Sequence, residues 1–255
     1  MNYEESGDGL PVVLVHGFPL DHTLWAPQLA GLMARCRCIA PDLRGFGNSP
    51  ALPPYSMDRY ADDVVETLDR LGVERAVVGG LSMGGYIAFA MWRRHRRRIR
   101  ALVLIDTKAG ADSDEIRERR RAQMEVARKR GAEVLAAQML PAQLGASTRE
   151  RHPEVVEVVR QMLSRAPVDG IVGALEAMIA RPDSTPTLAT IDVPTLIIVG
   201  EEDTATPPPE ARKLHEGIRG SRFELVASAG HLSSLERPAA VNHLLSEFIA
   251  RLDYA

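Results

Sequence analysis

The sequence predicts an α/β protein: a mostly parallel sheet of about seven strands, helices on both faces, and a block of helices inserted late in the chain. Three observations lead there. Short continuous apolar runs recur, among them "PVVLV", "RAVV", "ALVLI" and "TLIIV". Each is followed by a turn signal and then by apolar residues three and four apart. That alternation belongs to parallel strands covered on both faces. Between residues 109 and 186 the strand-like runs stop and only helical patterns remain.

Taken in order, "PVVLVHG" (11–17) is a buried strand, followed by a helix around "LWAPQLAGLMA". "CRCIAPD" (36–42) is the next strand. Its Cys36 and Cys38, the only two cysteines, share one face and read as buried small hydrophobes rather than a disulfide. A helix from Met57 to Leu71 aligns Tyr60, Val64, Leu68 and Leu71 on one face. "RAVVGG" (75–80), a helix from Met83 to about His95, and "ALVLID" (101–106) follow. The cations of "RRHRRRIR" (93–100) fall at that helix's end, where they suit the helix dipole and water. After the insertion come "TLIIVG" (195–200), a helix beginning in "PPPEARKLHEGI", "RFELVA" (222–227), and a closing helix from about Pro238 to Leu252.

The insertion reads as four helices. The first is closed by Gly131, the second stops before Pro141, the third opens at Pro153, and the fourth ends before Pro182. Residues 1–108 with 187–255 therefore form the core, and 109–186 a helical cap. Met124, Met139, Met162 and Met178 fall one per helix; either they pack the cap onto itself or they line an adaptable pocket beneath it.

Composition excludes several classes. Hydrophobic residues make up 45% and charged residues 25% of 255, and the net charge of -3 gives no reason to expect nucleic acid or an anionic membrane as partner. "MNYEESGDGLP" lacks the apolar stretch of a signal peptide, and no run approaches the ~20 apolar residues that span a bilayer. A cytoplasmic protein, monomer or homodimer, is expected. No HExxH, P-loop or dinucleotide fingerprint is present, so no metal or cofactor is implied.

The chemistry concentrates at "GGLSMGG" (79–85). Ser82 follows a buried strand and precedes a helix, which is where ligands bind in open α/β sheets. Gly80 and Gly84, two positions before and after it, fit a nucleophile elbow, where the turn leaves no room for neighbouring side chains. A serine hydroxyl needs a base, and the base a carboxylate. Of the seven histidines, His231 lies in the loop after the last strand, where it can reach Ser82. His16 belongs to the "HGFP" loop and shapes it. Asp203, directly after "TLIIVG", completes the order Ser, Asp, His; Asp106 also ends a strand and is its rival, with a possible role anchoring the cap junction or capping the "TKAG" loop. Met83 supplies one oxyanion N–H. Phe18 supplies the second, with Gly17 as fallback, because Pro19 has no N–H. Trp25 either walls the acyl pocket or belongs to the core.

In "HGFP", "PDLRGFGNS", "GLSMGGYIA", "GEEDTATPP" and "AGHLSSLERP", in that order, the chain resembles the α/β-hydrolase superfamily over essentially its full length. "GLSMGG" with "LIDTKAGAD" looks most like the branch of 3-oxoadipate enol-lactonases and small carboxylesterases. The resemblance implies Ser82 as nucleophile, Asp203 as acid, His231 as base, and Phe18 and Met83 as oxyanion donors. It makes Asp42 and Arg44 structural. Since only "NYEE" precedes the "PVVLV" strand, it also implies that the family's first strand is missing. The expected activity is hydrolysis of a small-molecule ester or lactone through an acyl-enzyme. A perhydrolase or haloperoxidase-like enzyme, a C–C bond hydrolase, and a small-molecule receptor with a retained triad are the alternatives.

Overall fold

In the computed structural model, which describes residues 1–252, the strands are β1 (Tyr3–Ser6), β2 (Pro11–Val15), β3 (Arg37–Pro41), β4 (Ala76–Leu81), β5 (Ile99–Ile105), β6 (Thr195–Gly200) and β7 (Arg222–Val226). They form one sheet in the order β1-β3-β2-β4-β5-β6-β7. All neighbours are parallel except β1, which runs antiparallel to β3 at the edge, pairing Tyr3 with Pro41 and Ser6 with Cys38. "NYEE" thus supplies an edge strand where the sequence predicted none. Four residues with no apolar alternation gave no signal, and the unpaired edge of β3 is what holds them.

Successive residues of a strand face opposite ways, and the sheet separates two apolar cores accordingly. Val13 and Val15 of β2 enter one, packed with Tyr60, Val64 and Leu68 of α2 (Met57–Arg70) and with α3 (Met83–His95). Val12 and Leu14 enter the other, against α1 (Ala26–Leu32) and later Val241 and Leu245. The Cys36 and Cys38 sulfurs lie 3.4 Å apart as free thiols in that second core. The cations after α3 are tied down rather than merely solvated. Arg94 and His95 both reach Asp62, and Arg98 donates to the carbonyls of Val73 and Glu74.

Between β5 and β6 lie α4 (Asp114–Gln143), α5 (Ala146–Arg151), α6 (Pro153–Ser164), α7 (Val168–Ala180) and α8 (Thr185–Leu188). The expected break at Gly131 is a bend inside α4, with non-helical φ 82° and ψ 172°. Pro141 does not stop the chain: it rides in the last turn of α4, which ends at Leu144. The two short helices α5 and α8 escaped the sequence reading, since a single turn carries no periodicity. After β6 come α9 (Pro208–Gly217), then β7, α10 (Ser233–Glu236) and α11 (Pro238–Leu252).

Candidate active site

β2 is followed on one side by β3 and on the other by β4, so the chain changes direction at the C-terminal ends of β2 and β4. A crevice forms at such a point. Ser82 stands there, between the last residue of β4 and the first of α3, with φ 54° and ψ −113°. That conformation is sparsely populated for any residue with a side chain and costs about 1–3 kcal/mol. The flanking glycines make it possible. A Cβ on Gly80 would strike the Gly84 carbonyl, and one on Gly84 would strike the Val15 carbonyl.

The Ser82 Oγ–H donates to His231 Nε2 at 2.9 Å, and His231 Nδ1–H donates to Asp203 Oδ2 at 2.9 Å. The three side chains come from the ends of β4, β6 and β7, brought together by the sheet. Asp203 also accepts the backbone N–H groups of Ala205 and Thr206 and the Thr206 hydroxyl. Burial raises its pKa, but the charge and hydrogen bond of His231 and these donors outweigh burial, and the carboxyl sits below its ordinary value. For His231 burial disfavours the charged form. The charge and hydrogen bond of Asp203, with Asp106 and Glu236, reverse this and hold the imidazole above 6.5. The pair is thus arranged to accept a proton at Nε2 and to keep the resulting imidazolium.

Asp106 does not anchor the cap junction or the "TKAG" loop. Its Oδ1 accepts the Gly200 N–H at 2.8 Å, and its Oδ2 accepts the Ser233 N–H at 3.0 Å and the Ser233 hydroxyl at 2.6 Å. The carboxylate therefore joins the end of β6 to the loop carrying His231. It is fully buried with φ 46°, and burial together with the charge of Asp203 pushes its pKa up to about 8. Glu236 does a related job and was missed in sequence. It accepts the N–H groups of Gly230 and Leu232, on either side of His231, and that of Gly145 ahead of α5. The glutamate within "AGHLSSLERP" was the available signal. Thr206, which bonds Asp203 and lies 3.3 Å from His231 Nδ1, was missed as well.

His16 shapes its loop as expected: Nδ1–H donates to the Gly17 carbonyl, and Nε2 accepts the Leu43 N–H. The loop passes beside the elbow, so that a Cβ on Gly17 would lie 3.2 Å from Ser82 Cβ. Phe18 follows in that loop, and its N–H has no acceptor among the described residues. Met83 is the first residue of α3, where a backbone N–H lacks an intrahelical partner. Arg44 forks onto Asp63, and Asp42 accepts from Asn2, His22 and Asn48.

A cavity of about 430 Å³ opens at Ser82 and His231, lined also by Phe18, Tyr86, Met139 and Met178. The other expected pocket residues lie elsewhere. Met124 and Met162 are buried in the two apolar cores, and Trp25 is fully buried in the core with Leu29 and Leu32. The methionines divide because only one side of each cap helix faces the cavity. A candidate metal trio, Asp21, His22 and Asp42, places its ligand atoms within 4.8 Å of one another. These atoms are already engaged: Asp21 accepts a fork from Arg165, and His22 Nδ1–H donates to Asp42. Among the described residues no helix is long and apolar enough to cross a membrane.

Comparison with known proteins agrees with this geometry. A thermophilic esterase from Thermogutta terrifontis, solved with malate bound, is 43% identical with a TM-score of 0.96, covering 98% of this chain and 93% of that one. The enol-lactonase from Burkholderia xenovorans LB400 is 33% identical with a TM-score of 0.91, covering 98% and 96%. 3-Oxoadipate enol-lactonase 1 of Acinetobacter baylyi is 28% identical over 247 residues, 93% of this chain and 88% of that protein. Residues 11–238 match the family described as alpha/beta hydrolase fold, and to that family the chain belongs.

Proposed function

We propose that the protein is a cofactor-independent serine hydrolase that cleaves a carboxylic ester or lactone through an acyl-enzyme. The observation that carries this reading is the continuous hydrogen-bonded line from Ser82 through His231 to Asp203, ending in the cavity. The esterase and enol-lactonase likenesses supply the substrate class. Ser82 Oγ attacks the carbonyl carbon while its proton passes to His231 Nε2. The N–H groups of Phe18 and Met83 receive the oxyanion, and the alkoxide leaves with the proton held by His231. Water then gives a proton to His231 and its oxygen to the acyl carbon, and the proton returns to Ser82 as the acid departs. Residues 109–186 act as a cap that sets substrate choice, with Met139 and Met178 at the acyl cavity.

A fluorophosphonate tests the nucleophile. Wild type gains one adduct mass and loses turnover of p-nitrophenyl butyrate, and Ser82→Ala gains none. A label on Ser49 or Ser233, or an unlabelled wild type, would overturn the assignment.

A further inference from the structure

The cavity at Ser82 carries a charge that catalysis does not use. Lys108, Arg119 and Arg120 line it, and no aspartate or glutamate does. This is unexpected in a chain of net charge -3. One buried carboxylate, Asp112, stands behind the wall, and three cations share it. Arg120 Nε lies 2.6 Å from Asp112, Arg181 Nη1 lies 3.0 Å away, and Lys108 Nζ lies 3.6 Å away.

The three are not equivalent. Arg120 and Arg181 are committed to structure: Arg120 joins α4 to the loop after β5, while Arg181 also donates to the carbonyls of Met178 and Gly110 and stacks over Tyr86 at 4.1 Å. Lys108 has no such occupation. Its ammonium has only 14% exposed side chain and makes no hydrogen bond among the described residues, since 3.6 Å is an ionic contact without a shared proton. Arg119, exposed, has no carboxylate partner among the described residues. An ammonium with three donors, half withdrawn from water and facing a cavity, is short of an acceptor. Burial and the neighbouring Arg181 and Arg120 lower the Lys108 pKa, against Asp112 and Glu210, which raise it. An anion entering the cavity would relieve that opposition.

We propose that Lys108, assisted by Arg119 and Arg120, is a carboxylate-binding subsite, so that the ester or lactone cleaved at Ser82 carries a second, free carboxylate. The proposal rests on the serine-hydrolase reading above. A carboxylate fits better than a larger polyanion, because the cavity is near the lower end of the usual size for small-molecule sites and the surplus charge is small. The subsite also accounts for the position of Lys108 in "LIDTKAG", just past the C-terminal end of β5, where side chains meet ligands.

Isosteric pairs test it. Monoethyl succinate and ethyl levulinate differ by a carboxylate against a methyl ketone on the acyl side; 3-acetoxypropionate and 4-acetoxy-2-butanone differ likewise on the alcohol side. In wild type the charged member of at least one pair should have a kcat/KM at least about tenfold higher, through KM, and the advantage should shrink with added salt. Lys108→Gln should lower the charged-to-neutral ratio about tenfold, and Lys108→Arg should restore most of it. Succinate binding to Ser82→Ala, measured by calorimetry, reads the subsite without turnover and should weaken to the same degree on adding Lys108→Gln. Hydrolysis of both neutral esters with no preference for either charged partner would overturn the subsite and leave the hydrolase standing. Succinate binding with no ester cleaved would leave the subsite and overturn the hydrolase.

Discussion

His231 titrates under the influence of two carboxylates, and they act through different contacts. Asp203 holds Nδ1 directly; Asp106 holds Ser233, two residues further on, and adds its charge. Asp203→Asn should stay folded and lose turnover on the order of 10⁴-fold, as in the serine-protease case that serves as the general template. Asp106→Asn should lose far less. Its new amide N–H would confront the Ser233 N–H, at a stability cost of about 1–3 kcal/mol. The pH profile separates the roles. His231 must be neutral to take the Ser82 proton, and its pKa is raised, so the acid limb of kcat/KM should fall above 6.5. Removing the Asp106 charge should move that limb to lower pH. An Asp106→Asn enzyme that folds but is dead, beside an active Asp203→Asn, would exchange the two assignments. At this scale the sequence was most legible where a residue type is dictated by geometry. Ser82 among its glycines, and His231 and Asp203 at strand ends, could be placed before the fold was known. The partners of Asp106 could not, because nothing local in "VLID" says that its acceptors face Gly200 and Ser233, distant in sequence.

Among the elements, α10 and its glutamate show how a four-residue helix can organise a site. Glu236 at its end receives three backbone N–H groups, two flanking His231 and one at the start of the α5 turn. Glu236→Ala would leave these donors buried without an acceptor. The expected loss is about 3 kcal/mol, from a charge-assisted network, with a drop in kcat through misplacement of His231. Denaturant melts and turnover on the same preparation check it; unaltered stability would show that water replaces the carboxylate at no cost. Long elements were legible because periodicity accumulates over several turns: α2, α3 and α11 begin and end within a residue or two of their expected limits. β1, α5, α8 and α10 are too short for that. The end of α4 was misread for another reason. Proline breaks a helix by removing one N–H and crowding the preceding turn, and at Pro141 only the last turn remains to be disturbed.

For the whole molecule, the change of composition at residue 109 located the helical insertion, but not which faces of its helices look into the cavity; Met139 and Met178 do, Met124 and Met162 do not. The cationic wall was likewise out of reach, since Lys108, Arg119 and Arg120 read singly as surface charges until α4 folds back over the end of β5. The Asp106 carboxylate, described above as a link between β6 and the His231 loop, has a consequence for how the molecule breathes. The amide hydrogens of Gly200 and Ser233 are both sequestered by it in a fully buried place. They can exchange with solvent deuterium only when β5 and β6 separate, so their exchange should report global opening, with the slow rates of Val103 and Leu104 in β5. Amides of α5, a six-residue helix away from the sheet, should exchange far sooner, through local opening. Rapid exchange at Gly200 alongside a protected β5 would mean that the catalytic loops loosen while the sheet holds. The expected coincidence means instead that the imidazole and its carboxylates stay in place for as long as the protein remains folded.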